Sequence, residues 1–316
     1  MKNSFYSIPA ALAMLCAGTV PASAAETLDR DLQLGGTVSL DNESRLDARE
    51  DPQMGLSEVS LGAEVALSEG MQAAVVLKAE DDLDKLFFEQ AVASFTPNGS
   101  HWVFFIGQQT FNHGYLTTRL ISDPLLLDWV EVKQPGIAAT YALGELSLGS
   151  GLVVAESGDS SATSHDYAVL PNLDWTHGPL QSRLSGMVSR YRSDVDLAAS
   201  LAIGRFTFDA EGFSRLKVWD ATDKTSGFSL GAQWEMIPGL SAGFRQDGLA
   251  PEAGEGLSAW RFGAGLSYTL HRDLFAAAEY GYGHGTEDAG HRLALRIGVK
   301  STLHLPGFQR ETLSQP

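Results

Sequence analysis

Phe111–Lys133 reads FNHGYLTTRLISDPLLLDWVEVK, and the fold turns on how this stretch is read. It is the longest connection in a sequence otherwise made of short, evenly spaced strand candidates. It is also the only connection that carries a helix signal. Asp123 stands where an N-cap belongs and Pro124 at the first helical position. Leu125, Leu126, Leu127 and Trp129 follow as a short apolar segment. Polar connections are ordinary, but one with apolar content must bury that content somewhere. The expectation is that the segment folds into the space the strands enclose and narrows it.

On either side of this stretch the apolar residues recur with a period close to two. Leu32, Leu34, Val38 and Leu40 alternate with Gln33, Gly35, Thr37 and Ser39. Val59, Leu61, Ala63, Val65 and Leu67 alternate with Glu58, Ser60, Gly62 and Glu64. Trp260, Phe262, Ala264, Leu266 and Tyr268 oppose Arg261, Gly263, Gly265, Ser267 and Thr269. Near the end, Leu293, Leu295, Ile297 and Val299 oppose Arg292, Ala294, Arg296 and Lys300. About sixteen such segments fit between residues 31 and 303, each near the length of a tilted transmembrane strand. The weakest is Asp166–Thr176, because Pro171 cannot donate to a ladder.

Connections alternate in kind. Tight turns at Ser68–Gly70, Thr96–Ser100, Gly144, His177–Pro179, Gly204, Ile237–Gly239 and His271–Asp273 interleave with longer polar loops. Short turns at one rim and long loops at the other mark an outer-membrane barrel, and an even strand count returns both ends of the strand array to the short-turn side. Alternation alone cannot say which face is wet. Three features favour lipid outside: glycine at 33 of 316 residues, aromatics near strand ends, and strands longer than those of globular sheets. The predicted fold is all-β, a transmembrane antiparallel barrel of about sixteen strands whose third outer loop folds inward.

Composition narrows the function. Residues 1–24, with Lys2, an apolar run Ile8–Val20 and Ala22-Ser23-Ala24, read as a cleaved signal peptide, leaving 25–316 as the barrel. The one cysteine, Cys16, lies within that leader. A formal charge of −17 excludes a nucleic-acid partner, which needs a basic footprint. No stretch after residue 24 reaches the roughly 18 apolar residues of a membrane helix. No HExxH, no Cys/His ligand spacing and no nucleophile-bearing serine motif is present, so neither an enzyme nor a cofactor is expected.

The order FFEQAVASFTPNGSHWVFFIGQQTFNHGYLTTRLISDPLLLDWVEVKQPGIAATY resembles the LbtU-type outer-membrane siderophore porins. The matching features are Glu89-Gln90-Ala91-Val92, Gly107-Gln108-Gln109 and Ile121-Ser122-Asp123-Pro124-Leu125, with Glu131 close behind. The resemblance is specific over this region and architectural elsewhere. The chain departs from that pattern in lacking a helical N-terminal extension and in ending with a polar tail after Gly307-Phe308. The resemblance implies a passive outer-membrane channel for ferric siderophores. A general, sugar or anion porin is the same-class alternative, and a non-conducting surface-binding protein the different-class one. Partners would be outer-membrane lipid, lipopolysaccharide and the solute. Trimers are common among sixteen-stranded porins, so a homotrimer stays open, with no residue here marking an interface.

A diffusion channel selects by width and lining charge. Constriction candidates in the long connection are His113, Arg119, Asp123, Asp128, Glu131 and Lys133. Against these stand plainer roles: capping for Asp123, a loop ion pair for Arg119 with Asp128, solvation for His113. Wall candidates on the polar phase are Glu58, Glu64, Glu80 and Glu89 early in the chain. Arg183, Arg205, Arg245, Arg261, Arg292, Arg296 and Lys300 are their later counterparts. An acidic wall facing a basic one would set a transverse field across the lumen. Mutual compensation in a wet interior is the competing reading. Much of the negative charge would reside on outer loops such as Asp41–Asp51, where it could bind cations bridging lipopolysaccharide.

Overall fold

The computed structural model describes residues 32–45, 53–80, 85–112, 120, 124–127, 131–155, 166–190, 192–218, 225–251, 259–271, 274–285 and 289–305. The expected leader, 1–24, lies outside them. Sixteen strands follow in order: β1 Leu32–Arg45, β2 Gln53–Ser68, β3 Met71–Glu80, β4 Lys85–Phe95 and β5 Trp102–Asn112. Next are β6 Glu131–Leu143, β7 Leu146–Ala155, β8 Asp166–His177, β9 Leu180–Ser189, β10 Arg192–Ile203 and β11 Phe206–Val218. The last are β12 Thr225–Ile237, β13 Leu240–Pro251, β14 Ala259–His271, β15 Leu274–His284 and β16 Gly290–Leu305. Each strand pairs antiparallel with its sequence neighbours. β1 closes on β16, from Leu32↔Leu305 to Arg45↔Arg292, so the sheet is a closed barrel. Closure leaves no edge strand with unpaired backbone groups.

The turns explain the alternation of connections. Gly70, Gly144, Gly178, Gly204 and Gly239 all hold positive φ, between 54° and 84°. Glycine reaches that left-handed region without a Cβ penalty, so the chain reverses there within two residues. These turns form one rim, and the longer connections form the other. Pro171 lies inside β8 after all. It faces outward opposite Ser150 of β7, while the β8–β9 register has no partner for residues 170 and 171. The missing donor is absorbed as a local gap in one ladder.

Burial settles which face is wet, and it is inverted relative to a water-soluble protein. Leu61, Ile106, Leu197 and Ile297 are about 60% exposed, within a continuous outer band of large apolar side chains. Lys78, Asp196, Asp247, Glu279 and Arg296, by contrast, are at most 2% exposed and point inward. A soluble fold almost never buries such groups in number while exposing its aliphatics. Aromatics bracket the outer band. Trp102, Phe104, Trp175, Phe206, Trp234 and Tyr268 lie near the short-turn rim, and Tyr167, Trp260 and Tyr282 near the other. These are the two interfacial girdles of a membrane barrel.

The inversion predicts asymmetric tolerance. Leu197→Arg places a cation in the lipid band and should destabilise the barrel by about 2–4 kcal/mol in folding titrations in lipid vesicles. The same change at the inward, half-buried Gln233 should leave stability nearly unchanged. Equal effects at both sites would contradict the assignment of faces.

Candidate functional site: the lumen and the strap across it

The described part of the long connection lies inside the barrel. β5 runs to Asn112 and β6 begins at Glu131, so the connection is 113–130 rather than the full Phe111–Lys133. It is the third connection at the long-loop rim. Leu126 is fully buried against Phe213 of β11, with Leu249 of β13 packed alongside. A Cβ at Gly227 of β12 would lie 2.4 Å from Leu126 Cδ2. On β14, a Cβ at Gly263 would lie 2.7 Å from Leu120 Cδ1, and one at Gly265 3.2 Å from Leu120 Cδ2. The inward glycines are therefore sockets for leucines of the connection.

The connection leaves the wall between β5 and β6 and docks on β11–β14. In a ring of sixteen strands the wall opposite β5 and β6 is β13 and β14. The segment thus crosses the lumen as a strap. Its central turn is short: Leu127 N–H donates to the Pro124 carbonyl at 3.1 Å, and Pro124, Leu126 and Leu127 are buried. Among the described residues, the Asp-Pro signal is followed by this turn, with helical backbone at Leu127. Burying Leu126 stabilises the docked strap by about 1.5–3 kcal/mol.

Inward side chains are buried toward the long-loop rim and open toward the short-turn rim. Along β11, Glu211 and Phe213 are buried, whereas Thr207 and Asp209 are half exposed. Along β13, Arg245 and Asp247 are buried, while Ser241 and Gly243 are half exposed. The described lumen therefore widens into a vestibule on the short-turn side.

Charges in the lumen are organised in sectors. On β13–β16, Ser229 Oγ of β12 donates to Asp247 Oδ1 at 2.7 Å and Arg245 Nε donates to Asp247 Oδ2 at 3.0 Å. Arg261 Nη2 lies 3.7 Å from the same carboxylate, and Arg292 Nη2 lies 3.6 Å from Glu279 Oε1. Arg296 and Lys300 continue the inward phase of β16. Inward on these four strands stand the cations Arg245, Arg261, Arg292, Arg296 and Lys300 and the acids Asp247 and Glu279, so the sector is net positive. On β8–β11, Arg183 Nε donates to Asp174 Oδ1 at 2.5 Å. Arg192 and Arg215 both donate to Asp194, the latter at 3.1 Å. Asp196, Asp209 and Glu211 also face inward there, so five acids meet three arginines and that sector is net negative.

Of the four early acids, the side chains of Glu64 and Glu89 are described. Glu89 is buried at a bulge in β4, 3.7 Å from Lys78 Nζ. Glu64 is half buried. Glu58 lies on β2 and Glu80 on β3, and their side chains lie outside the described ones. The expected geometry of opposing walls does not hold. β2–β4 and β13–β16 are neighbours in the closed ring, joined through β1, where Asp41 pairs in register with Arg296. Acidic and basic sectors adjoin, because the first and last strands must meet for the barrel to close.

Other candidates move too. Arg205 is not on the wall. It is exposed in the β10–β11 turn, and its Nη1 donates to the Met236 carbonyl at 3.0 Å. The alternation read from sequence ran one residue into the turn. Glu131 and Lys133 belong to β6, in register with Asn112 and Thr110 of β5, and their side chains lie outside the described ones. His113, Arg119, Asp123 and Asp128 lie outside the described residues. Arg183, Arg245, Arg261, Arg292, Arg296 and Lys300 all face inward. The sequence reading missed the acids threaded among them, Asp194, Asp196, Glu211, Asp247 and Glu279. Each sits on the arginines' own phase, which was the available signal.

This architecture is that of a porin-type outer-membrane barrel, with sixteen antiparallel strands, a polar lumen and a loop folded across it. Solved structures share the fold at low identity. OmpT of Vibrio cholerae in its trimer form aligns with 86% of this chain and 100% of its own, with TM-score 0.68 and 12% identity. An anion-selective porin from Comamonas acidovorans covers 86% and 99%, with TM-score 0.67 and 15% identity. OmpF of Salmonella typhi, in complex with daunomycin, covers 86% and 97%, with TM-score 0.64 and 10% identity. No family model and no curated protein matches the chain.

The sockets carry a prediction. Gly227→Val cannot coexist with Leu126 in its present position, so the substitution should release that end of the strap. Leu120→Ala with Leu126→Ala should do the same from the other side, at a local cost of about 2–5 kcal/mol for the buried Leu126 and less for the half-buried Leu120. Limited proteolysis in detergent should then cut within 113–130 while the barrel keeps its heat-modifiable mobility. Resistance equal to that of the unmodified chain would contradict the docking.

Proposed function

We propose that this chain is an outer-membrane porin of a Gram-negative bacterium, exported through a cleaved leader and acting by passive diffusion without chemistry or cofactor. The observation that carries the reading is the strap: a loop pinned across a closed, polar-lined barrel narrows a passage, which a purely structural barrel has no need to do. Selection would then rest on width and on the lining charges. The porin fold supports an outer-membrane setting among lipid and lipopolysaccharide. A solved neighbour described as a trimer makes the homotrimer the assembly that goes with this reading.

For the solute we infer a ferric siderophore, supported by the resemblance that runs from Glu89 through Glu131. A second reading, a small organic anion, is favoured by the net positive β13–β16 sector. An anionic ferric chelate would satisfy both.

Planar-bilayer recording tests the reading. The unmodified chain should give stable channel steps. Deletion of Leu116–Trp129 should raise unitary conductance, and a ferric siderophore should reduce current through the intact channel more than through the deletion. Conductance that no siderophore affects would remove that solute and keep the porin. A folded, heat-modifiable barrel that never conducts would refute the channel.

A further inference from the structure

The lumen is polarised in a second way, which neither the strap nor the charge sectors explain. Inward positions on β5, β6 and β7 carry no charged residue among those described. On β5 they include Val103, Phe105 and Gln109; on β6, Val132, Ala138 and Thr140; on β7, Gly149, Gly151 and Val153. Register confirms the phase: Phe105 pairs with the inward Ser94, while its neighbours Phe104 and Ile106 are exposed on the outer face.

Toward the long-loop rim this wall is closed. Val153, Ala168, Leu170 and Met187 form a buried cluster with Val132 packed on it. In the vestibule it is open: Val103, Phe105 and Ala138 are half exposed. Placing a phenyl ring and a valine on the wet inner face of a channel forfeits apolar burial, so water alone does not account for their presence there.

The strands eight positions away around the ring are β13, β14 and β15, flanked by β16. These carry Arg245, Arg261, Arg292, Arg296 and Lys300, with Lys300 half exposed on the same short-turn half as Phe105. A charge-free, partly apolar wall therefore stands across the vestibule from a net cationic one. A solute in the vestibule meets an apolar surface on one side and the half-exposed Lys300 on the other, with Arg245, Arg261, Arg292 and Arg296 buried behind it toward the long-loop rim.

We propose that the channel prefers amphipathic organic anions, carboxylates whose other end is an apolar ring or chain, over hydrophilic anions of the same size and charge. This rests on the porin reading and sharpens it. The carboxylate passes Lys300 and is favoured by the field of the buried arginines behind it, while the apolar end slides along Val103, Phe105 and Ala138. The contact is too small to trap the solute, as conduction requires.

Reversal potentials in planar bilayers under gradients of sodium cyclohexanecarboxylate and sodium quinate test this. The two anions share a ring and a charge, and quinate differs by its hydroxyl groups. The unmodified chain should be anion-selective and should favour cyclohexanecarboxylate over quinate by about fivefold, the scale of one modest apolar contact. Val103→Ser with Phe105→Ser should abolish that preference and leave chloride conductance unchanged. Lys300→Gln should lower anion-over-cation selectivity and leave the preference in place. Equal permeability of the two anions, or cation selectivity, in a conducting channel would overturn the proposal and leave the porin standing. A folded barrel that does not conduct would overturn both.

Discussion

Backbone pairing in a medium without water is the constraint from which the structure follows. Each unpaired N–H or C=O in hydrocarbon costs several kcal/mol, so a membrane-spanning sheet must close. Here closure is made by β1 against β16 along their full shared length. Once the ring is closed, every strand has one face toward lipid and one toward the lumen. The period-two alternation then has only one stable orientation, with Leu, Ile and Val outside and Arg, Asp and Glu inside. Closure also brings the first and last strands together, and so places the acidic early sector beside the basic late one.

Closure leaves an interior to be managed, and the strap manages it with packing rather than charge. Glycines at 227, 263 and 265 omit the side chains that would fill the space where Leu126 and Leu120 dock. The same strands, β12–β14, carry Ser229, Arg245, Asp247 and Arg261. Glycine sockets and charged side chains therefore share one wall, the first holding the strap and the second buried beside it. Buried ion pairs such as Arg245–Asp247 contribute little net stability once desolvation is counted. Their consequence here is to fix guanidinium groups in place.

Much of this was legible in the sequence. Strict alternation in β14 and β16, positive-φ glycines at tight turns, and an apolar loop with no soluble partner were enough to predict the barrel, its strand number and the inward fold of the third long connection. Individual strands gave less. Pro171 made β8 look the weakest strand because a ladder was assumed on both sides, and β8 needed only one intact. Arg205 looked like wall because alternation has no marker where a strand ends and a turn begins. Glu131 and Lys133 looked like loop because strand extension beyond the bilayer leaves no apolar trace. The adjacency of acidic and basic sectors and the charge-free wall of β5–β7 are properties of ring position, which no local window contains.

Cysteine cross-linking tests the central claim most directly. Cys16 is the only native cysteine and belongs to the expected leader, so a pair introduced as Leu126→Cys with Gly227→Cys would be alone in the exported barrel. If the strap spans the lumen and docks on β12, the pair should oxidise readily in the folded protein, giving a shifted band after denaturation and a channel that still conducts. A folded barrel in which this pair stays reduced, while a control pair across the β12–β13 ladder oxidises, would contradict the strap.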